Sequence, residues 1–190
     1  MCVFRVNWKK FLLAFITAFL VIQIIGSFFF YGLAVKRGPK EFLENNADLE
    51  VSDEAMDLFI NGSWIDWVNE QNFEELTLTS RDGLKLTGYY LPADEPTDKL
   101  VILTHGYLGH AKQMGLYGQH YYNELGYKIF MPDARGHGKS EGDYYGFGWP
   151  DRLDLIDWTS LMVKKLGADT EVVYHGLSMG AATVLMTSGE

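Results

Sequence analysis

Cysteine is nearly absent from this chain: Cys2 is the only one in 190 residues. A lone thiol excludes an internal disulfide. It also precedes the apolar run at 11–35 instead of following it, which argues against a lipid-modified cysteine behind a signal sequence. Acidic residues are missing from the first 40 positions, where six Lys and Arg give +6. All 25 acids lie in 41–190 against 10 basic residues, a net of −15 for that segment. So acidic a domain repels nucleic acid and anionic lipid headgroups, and neither is an expected partner. Internal repeats and low-complexity tracts are also lacking.

Charge of either sign is absent from Phe11 to Val35, 25 residues dominated by Phe, Leu, Ile, Val and Ala. As a helix this run is about 37 Å long, enough to cross a bilayer core with some tilt. Arg5, Lys9 and Lys10 stand before it and Lys36, Arg37 and Lys40 after it. The alternative is a cleaved signal peptide, for which Gly32-Leu33-Ala34 offers a small-x-small site. The run exceeds the ~7–15 residues of a signal core, which favours an uncleaved anchor. The flanks carry equal basic counts, and the free amino terminus tips the balance to a cytoplasmic N-terminus with the remaining domain outside the cell.

At 190 residues there is room for one domain plus appendages. The expected plan is a short basic N-terminus at 1–10, a transmembrane anchor at 11–35, an acidic juxtamembrane helical segment at 36–72 and a globular domain at 73–190. In the third segment Ser52 can cap a helix with Asp53 and Glu54 in its first turn, Met56, Phe59 and Ile60 on one face, and Asn61-Gly62 at its end. A helical turn with Trp64, Trp67 and Val68 follows, expected to pack on the domain. From Phe73 the period becomes two: Leu76–Ser80 and Leu84–Leu91 alternate around Arg81-Asp82-Gly83, a hairpin signature. Strands at 100–104, 127–131 and 171–176 then alternate with helices at about 114–125, 151–166 and from 179. That alternation predicts an α/β fold with a mostly parallel sheet and flanking helices. Asp143 to Trp149, rich in Tyr, Phe, Gly and Trp, reads as a structured loop covering the sheet, with an acyl-pocket wall as the alternative. Asp151, Asp154 and Asp157 recur every three residues on an acidic helix without a histidine or loop cage, so they are expected to face solvent and to bind no metal.

Three strand-end clusters carry the chemistry. Leu100–Thr104 runs into His105-Gly106-Tyr107. Tyr127–Met131 runs into Pro132-Asp133-Ala134-Arg135-Gly136-His137-Gly138-Lys139-Ser140. Glu171–His175 runs into Gly176-Leu177-Ser178-Met179-Gly180 and a small-residue helix. A serine at the tip of a tight strand-to-helix turn needs strained backbone angles, and side chains two positions to either side would collide with neighbours, which calls for Gly176 and Gly180. The turn lifts the hydroxyl clear of the sheet and aims the Met179 N–H, at a helix N-terminus, to where an oxyanion would form. Gly106 lets the backbone turn and expose a second donor, that of Tyr107.

In this order the clusters resemble the α/β-hydrolase superfamily, closest to its lipase-, esterase- and serine-aminopeptidase-like branch, from about Phe73 onward. The resemblance implies the α/β-hydrolase fold, a nucleophile at Ser178, oxyanion donors at Tyr107 and Met179, and a mainly architectural Asp133–Gly138 segment with His105 and His137 in structural turns. It implies a small acyl, ester or peptide substrate and no cofactor.

The superfamily's triad runs Ser, then Asp or Glu, then His along the chain. After Ser178 there is no His and no Asp, and the one acid is Glu190. His105, His110, His120, His137 and His175 all lie upstream, with His175 expected to pack behind the turn and His110 and His120 to lie on the surface. In this fold the strand before the serine lies mid-sheet, so Val172-Val173-Tyr174 would otherwise present an open apolar edge. The chain therefore reads as the first part of a longer protein, with the 190 residues inactive alone. The parent is expected to be a membrane-anchored serine hydrolase. An acyltransferase using the same site, or a non-catalytic anchored binding protein, are the alternatives.

Overall fold

The computed structural model describes residues 8–40, 52, 57–59 and 61–190. The N-terminal apolar run forms helix α1, Trp8–Phe30, which continues as a wider π turn over Tyr31–Val35. No residue of α1 is buried, and with its π turn it is long and apolar enough to cross a membrane. Most of the expected Ser52 helix, including Asp53, Glu54, Met56 and Ile60, lies outside the described residues. Residues 57–59 and 61 are helical, and the Gly62 N–H closes on the Leu58 carbonyl.

Helix α2, Trp64–Glu70, leads into the hairpin β1 (Glu74–Thr79) and β2 (Lys85–Leu91). Then follow β3 (Lys99–Thr104), a 3₁₀ turn at Ala111–Met114, α3 (Gly115–Asn123), β4 (Lys128–Pro132), α4 (Asp151–Leu166), β5 (Glu171–Gly176) and α5 (Met179–Thr187). The sheet order is β1-β2-β4-β3-β5. β2 runs antiparallel to β1 and β4, whereas β3 is parallel to both β4 and β5. The parallel strands therefore end together, and their C-terminal loops gather at one edge of the sheet, where ligands of open α/β sheets bind.

Period-two alternation explains the two-sided core. Val101 and Leu103 of β3 face one side with Trp64, Trp67, Val68 and Met114. Leu100 and Ile102 face the other side with Phe130, Leu155, Trp158 and Met162. The tryptophans of α2 thus pack on the domain, as their spacing predicts. β5 borders the described sheet: Val172, Val173 and Tyr174 are half-buried while the neighbouring β3 apolar residues are fully buried.

The acidic face expected on α4 is not a solvated one. Asp151 and Asp154 are buried, and Asp157 pairs with Arg81 at 2.8 Å. The reason is a cation from another segment: Arg135, itself buried, donates through Nε and Nη2 to both Asp154 oxygens at 2.8 Å. It also reaches Asp82 in the hairpin turn at 2.8 Å. Desolvation alone would lower the Arg135 pKa, but the hydrogen bonds to Asp154 and Asp82 outweigh it and raise it. In return, Arg135 and Ser80 hold the Asp82 carboxyl down at about 2. Asp151 has no such partner. One oxygen accepts the Gly148 N–H at 2.9 Å, and the other is buried without a hydrogen bond.

Burial pushes the Asp151 carboxyl up to about 6, with the Gly148 N–H pulling the other way. Its value in an unfolded chain is about 3.9. Between those two values the native state holds more protons than the unfolded one. The stabilisation is therefore fully present below about pH 4 and is lost as pH rises through 6. Asp151→Asn abolishes this titration and keeps an acceptor for Gly148. Its unfolding free energy relative to wild type should grow by roughly 2 kcal/mol from pH 4 to pH 7. Denaturant titrations at both pH values measure this, and a pH-independent difference would contradict the assignment.

Candidate active site

The site is built where β3, β4 and β5 end. Ser178 stands between β5 and α5 as the N-cap of that helix, with φ 53° and ψ −114°. A left-handed non-glycine residue costs on the order of 1–3 kcal/mol and persists only where its surroundings over-determine it. Here they do. A Cβ on Gly176 would lie 2.4 Å from the Gly180 backbone, and one on Gly180 would lie 2.2 Å from the Thr104 carbonyl oxygen. The turn is also stitched to β3: the Leu177 N–H donates to the Thr104 carbonyl at 3.0 Å, and the Thr104 hydroxyl donates to the Gly180 carbonyl at 3.0 Å. Ser178 itself is exposed while Met179 and Gly180 are buried. Met179 begins α5, so its N–H has no carbonyl of its own helix behind it.

The loop after β3 lies against the serine. A Cβ on Gly106 would come 3.4 Å from the Ser178 Cβ, which puts Tyr107 at the rim of the same turn. The Tyr107 ring packs edge-on against Tyr145 at 5.1 Å and stacks on Phe147 at 5.2 Å. The 143–149 loop therefore lies at the site as well as over the sheet. Gly148 seats it on α5, since a Cβ there would lie 3.1 Å from the Thr183 nitrogen.

The segment after β4 forms the support. Asp133 is buried and accepts the Ala111 N–H at 2.7 Å and the Lys139 N–H at 2.9 Å. Its carbonyl accepts the Ser140 hydroxyl, whose oxygen accepts the Thr87 N–H. Gly136 and Gly138 take the positive φ angles, 75° and 47°, that fold the segment back on itself. The His105 and His137 rings meet edge to face at 4.9 Å.

None of the histidines stands ready to take a proton from Ser178. His105 has both ring nitrogens engaged, with Nε2 accepting the Ala134 N–H and Nδ1 at the Gly106 carbonyl. Burial lowers its pKa to about 4. His137 is buried with Nδ1 at the Arg135 carbonyl, and burial lowers its pKa as well. His175 packs between Tyr117 and Tyr121, and His110 and His120 are exposed. Asp151 and Asp154 do not converge on a common ion, and among the described residues no group of three or more His, Cys, Asp or Glu is placed to hold a metal.

Sequence reasoning missed four contributors: Asp82 and Asp154, which hold Arg135, and Ala34 and Arg37, which reach the site loops from the end of the apolar helix. The hairpin turn already marked Asp82 as fixed in space. Nothing in the residue pattern joins Arg37 to positions 138–142.

Known proteins share this arrangement. A family model described as serine aminopeptidase, S33, matches residues 95–189, half of the chain. The uncharacterized protein YqkD of Bacillus subtilis is 30% identical over 124 residues, covering 63% of this chain and 40% of YqkD. The Pyrococcus furiosus esterase Pf2001 superposes with a TM-score of 0.50 at 27% identity, over 66% of this chain and 48% of the esterase. Est1E of Butyrivibrio proteoclasticus, solved with ferulic acid bound, gives a TM-score of 0.51 at 26% identity, over 60% and 46% of the two chains. The chain thus spans less than half the length of each of these relatives. Three strand-end motifs in a fixed order, the sheet that carries them and a family match over half the sequence make this protein a member of the α/β-hydrolase superfamily.

Proposed function

We propose that Ser178 is the nucleophile of a membrane-anchored serine hydrolase that opens an ester, thioester or amide through an acyl-enzyme. The observation that carries this proposal is the serine's own backbone: exposed, left-handed, at a helix N-terminus, and enforced by two glycines with no room for a side chain. A strained residue held so tightly is characteristic of a site where the strain serves the chemistry. Similarity to the Pyrococcus furiosus esterase Pf2001 supports the same reaction class.

In the proposed reaction Ser178 Oγ bonds to the substrate carbonyl carbon while its proton passes to an imidazole. The carbonyl oxygen takes the negative charge and accepts hydrogen bonds from the Met179 and Tyr107 N–H groups. Collapse breaks the bond to the leaving alcohol, thiol or amine, which takes the proton from the imidazole. Water then attacks the acyl-enzyme with the same imidazole as base, releasing the acid and the serine. An alcohol or amine in place of that water would give acyl transfer. In the superfamily's order the imidazole follows the serine, and the five histidines here all precede it. The proposal accordingly concerns a polypeptide that supplies the acid and histidine beyond Ser178.

Residues 1–190 alone should show no serine-dependent turnover of p-nitrophenyl acetate. Turnover that disappears in Ser178→Ala would oblige an upstream histidine to act as base. In a protein carrying the full triad, Ser178→Ala should lower kcat by ~10⁶, as in the well-studied triads. Its melting temperature should not change, since one exposed hydroxyl opens no cavity. Gly180→Val should instead abolish the folded state, because its side chain would enter the Thr104 and His105 backbone.

The anchor is α1 with its π turn: uncharged from Phe11 to Val35, with no buried residue in α1 and with Trp8 and Tyr31 near its ends, where interfacial aromatics sit. The protein should remain with membranes through alkaline carbonate and leave them only with detergent. A soluble mature form beginning at Val35 would identify a signal peptide instead.

A further inference from the structure

The end of the apolar helix is joined directly to the site. Tyr107 Oη donates to the Ala34 carbonyl at 2.6 Å, inside the π turn that ends the helix. The next residues run as a strap along the loop after the Asp133–Gly138 segment. The Tyr145 N–H donates to the Val35 carbonyl and the Arg37 N–H to the Asp143 carbonyl, both at 2.8 Å, with an antiparallel bridge between Lys36 and Tyr144. The Arg37 guanidinium then gathers three carbonyls of that loop: Ser140 at 3.0 Å, Gly138 at 3.1 Å and Gly142 at 3.4 Å. Lys40 is buried over the Tyr145 ring and donates back to the Lys36 and Gly32 carbonyls.

No slack remains between helix and site. One residue step of about 3.8 Å and a tyrosine side chain separate Ala34 from Gly106, the residue packed against Ser178. Beside this junction the site's rim is apolar and exposed. Leu108 and Phe147, both at positive φ, are 40% and 43% exposed. Phe147 stacks on the same Tyr107 that reaches the helix end. Aromatic side chains beside the end of a membrane span belong at headgroup level, where they keep apolar faces out of water.

We propose that the strap fixes Ser178 at the bilayer surface, with Leu108 and Phe147 in the interfacial layer, and that the substrate is a membrane-resident long-chain acyl ester. This rests on the serine-hydrolase and anchor readings above. An ester of this kind keeps its chain among the lipid tails and its carbonyl at headgroup depth, level with a site held against the end of the span.

The test uses the triad-complete protein reconstituted in phosphatidylcholine vesicles, given a long-chain acyl ester in the bilayer or water-soluble p-nitrophenyl acetate. Arg37→Ala releases the strap, and Leu108→Ser with Phe147→Ser removes the exposed apolar rim. Each should lower the rate on the bilayer ester about tenfold, as expected when a tethered reactant loses effective concentration. Turnover of p-nitrophenyl acetate should fall several-fold less than that of the bilayer ester, and Ser178 should still be labelled by a fluorophosphonate. Equal losses on both substrates, or an unchanged rate on the bilayer ester, would overturn the interfacial assignment while leaving the serine hydrolase intact. Absence of fluorophosphonate labelling in the wild type would overturn both.

Discussion

The architecture of the site depends on how closely α5 approaches the ends of β3 and β5. Residues 176 and 180 have no space for even one carbon beyond the backbone, and that contact forces Ser178 into its left-handed conformation. A looser approach would let the serine relax into an ordinary helical turn, with its hydroxyl folded back on the N-terminus as a cap. The structure records no hydrogen bond of this kind: Ser178 caps α5 by position, and its side chain stays free of the helix. The burial of Met179 and Gly180 beside an exposed serine follows from the same contact.

A turn under strain needs rigid neighbours, and the buried polar network after β4 supplies them. Asp133 ties the 3₁₀ turn and the Lys139 backbone together, while Arg135 joins that segment to the hairpin and to α4 through Asp82 and Asp154. Buried ion pairs of this type contribute little net stability over an apolar core, but losing one partner is costly because the other is left charged and dry. The network's role is therefore positional. It holds three strand-end loops in one arrangement, and through Tyr145 and Phe147 it reaches the Tyr107 ring.

Much of this was legible in the sequence because its signals are local. The hairpin came from alternation around Arg81-Asp82-Gly83, the parallel strands from short apolar runs, and the strand-to-helix turn from glycines at fixed offsets from Ser178. Histidines 105 and 137 read as structural because each sits inside a turn motif, and in the structure backbone groups engage both rings. The misreading of Asp151 and Asp154 as solvent-facing had a definite cause. Helical spacing locates a carboxylate on its own helix but says nothing of an arginine 19 residues away that comes to meet it. The strap was invisible for the same reason: Arg37 reads as a flanking charge of the apolar run, and its partners stand about 100 residues further on.

The central claim is that Ser178 is an activated nucleophile, and covalent mapping tests it most directly. A polypeptide that supplies an acid and a histidine after Ser178 would be treated with diisopropyl fluorophosphate, digested and sequenced by tandem mass spectrometry. A single phosphorylated serine at position 178, with loss of turnover in proportion to its occupancy, is the predicted result. An unmodified Ser178 in a folded protein, or an adduct on another serine that accounts for the lost activity, would contradict it.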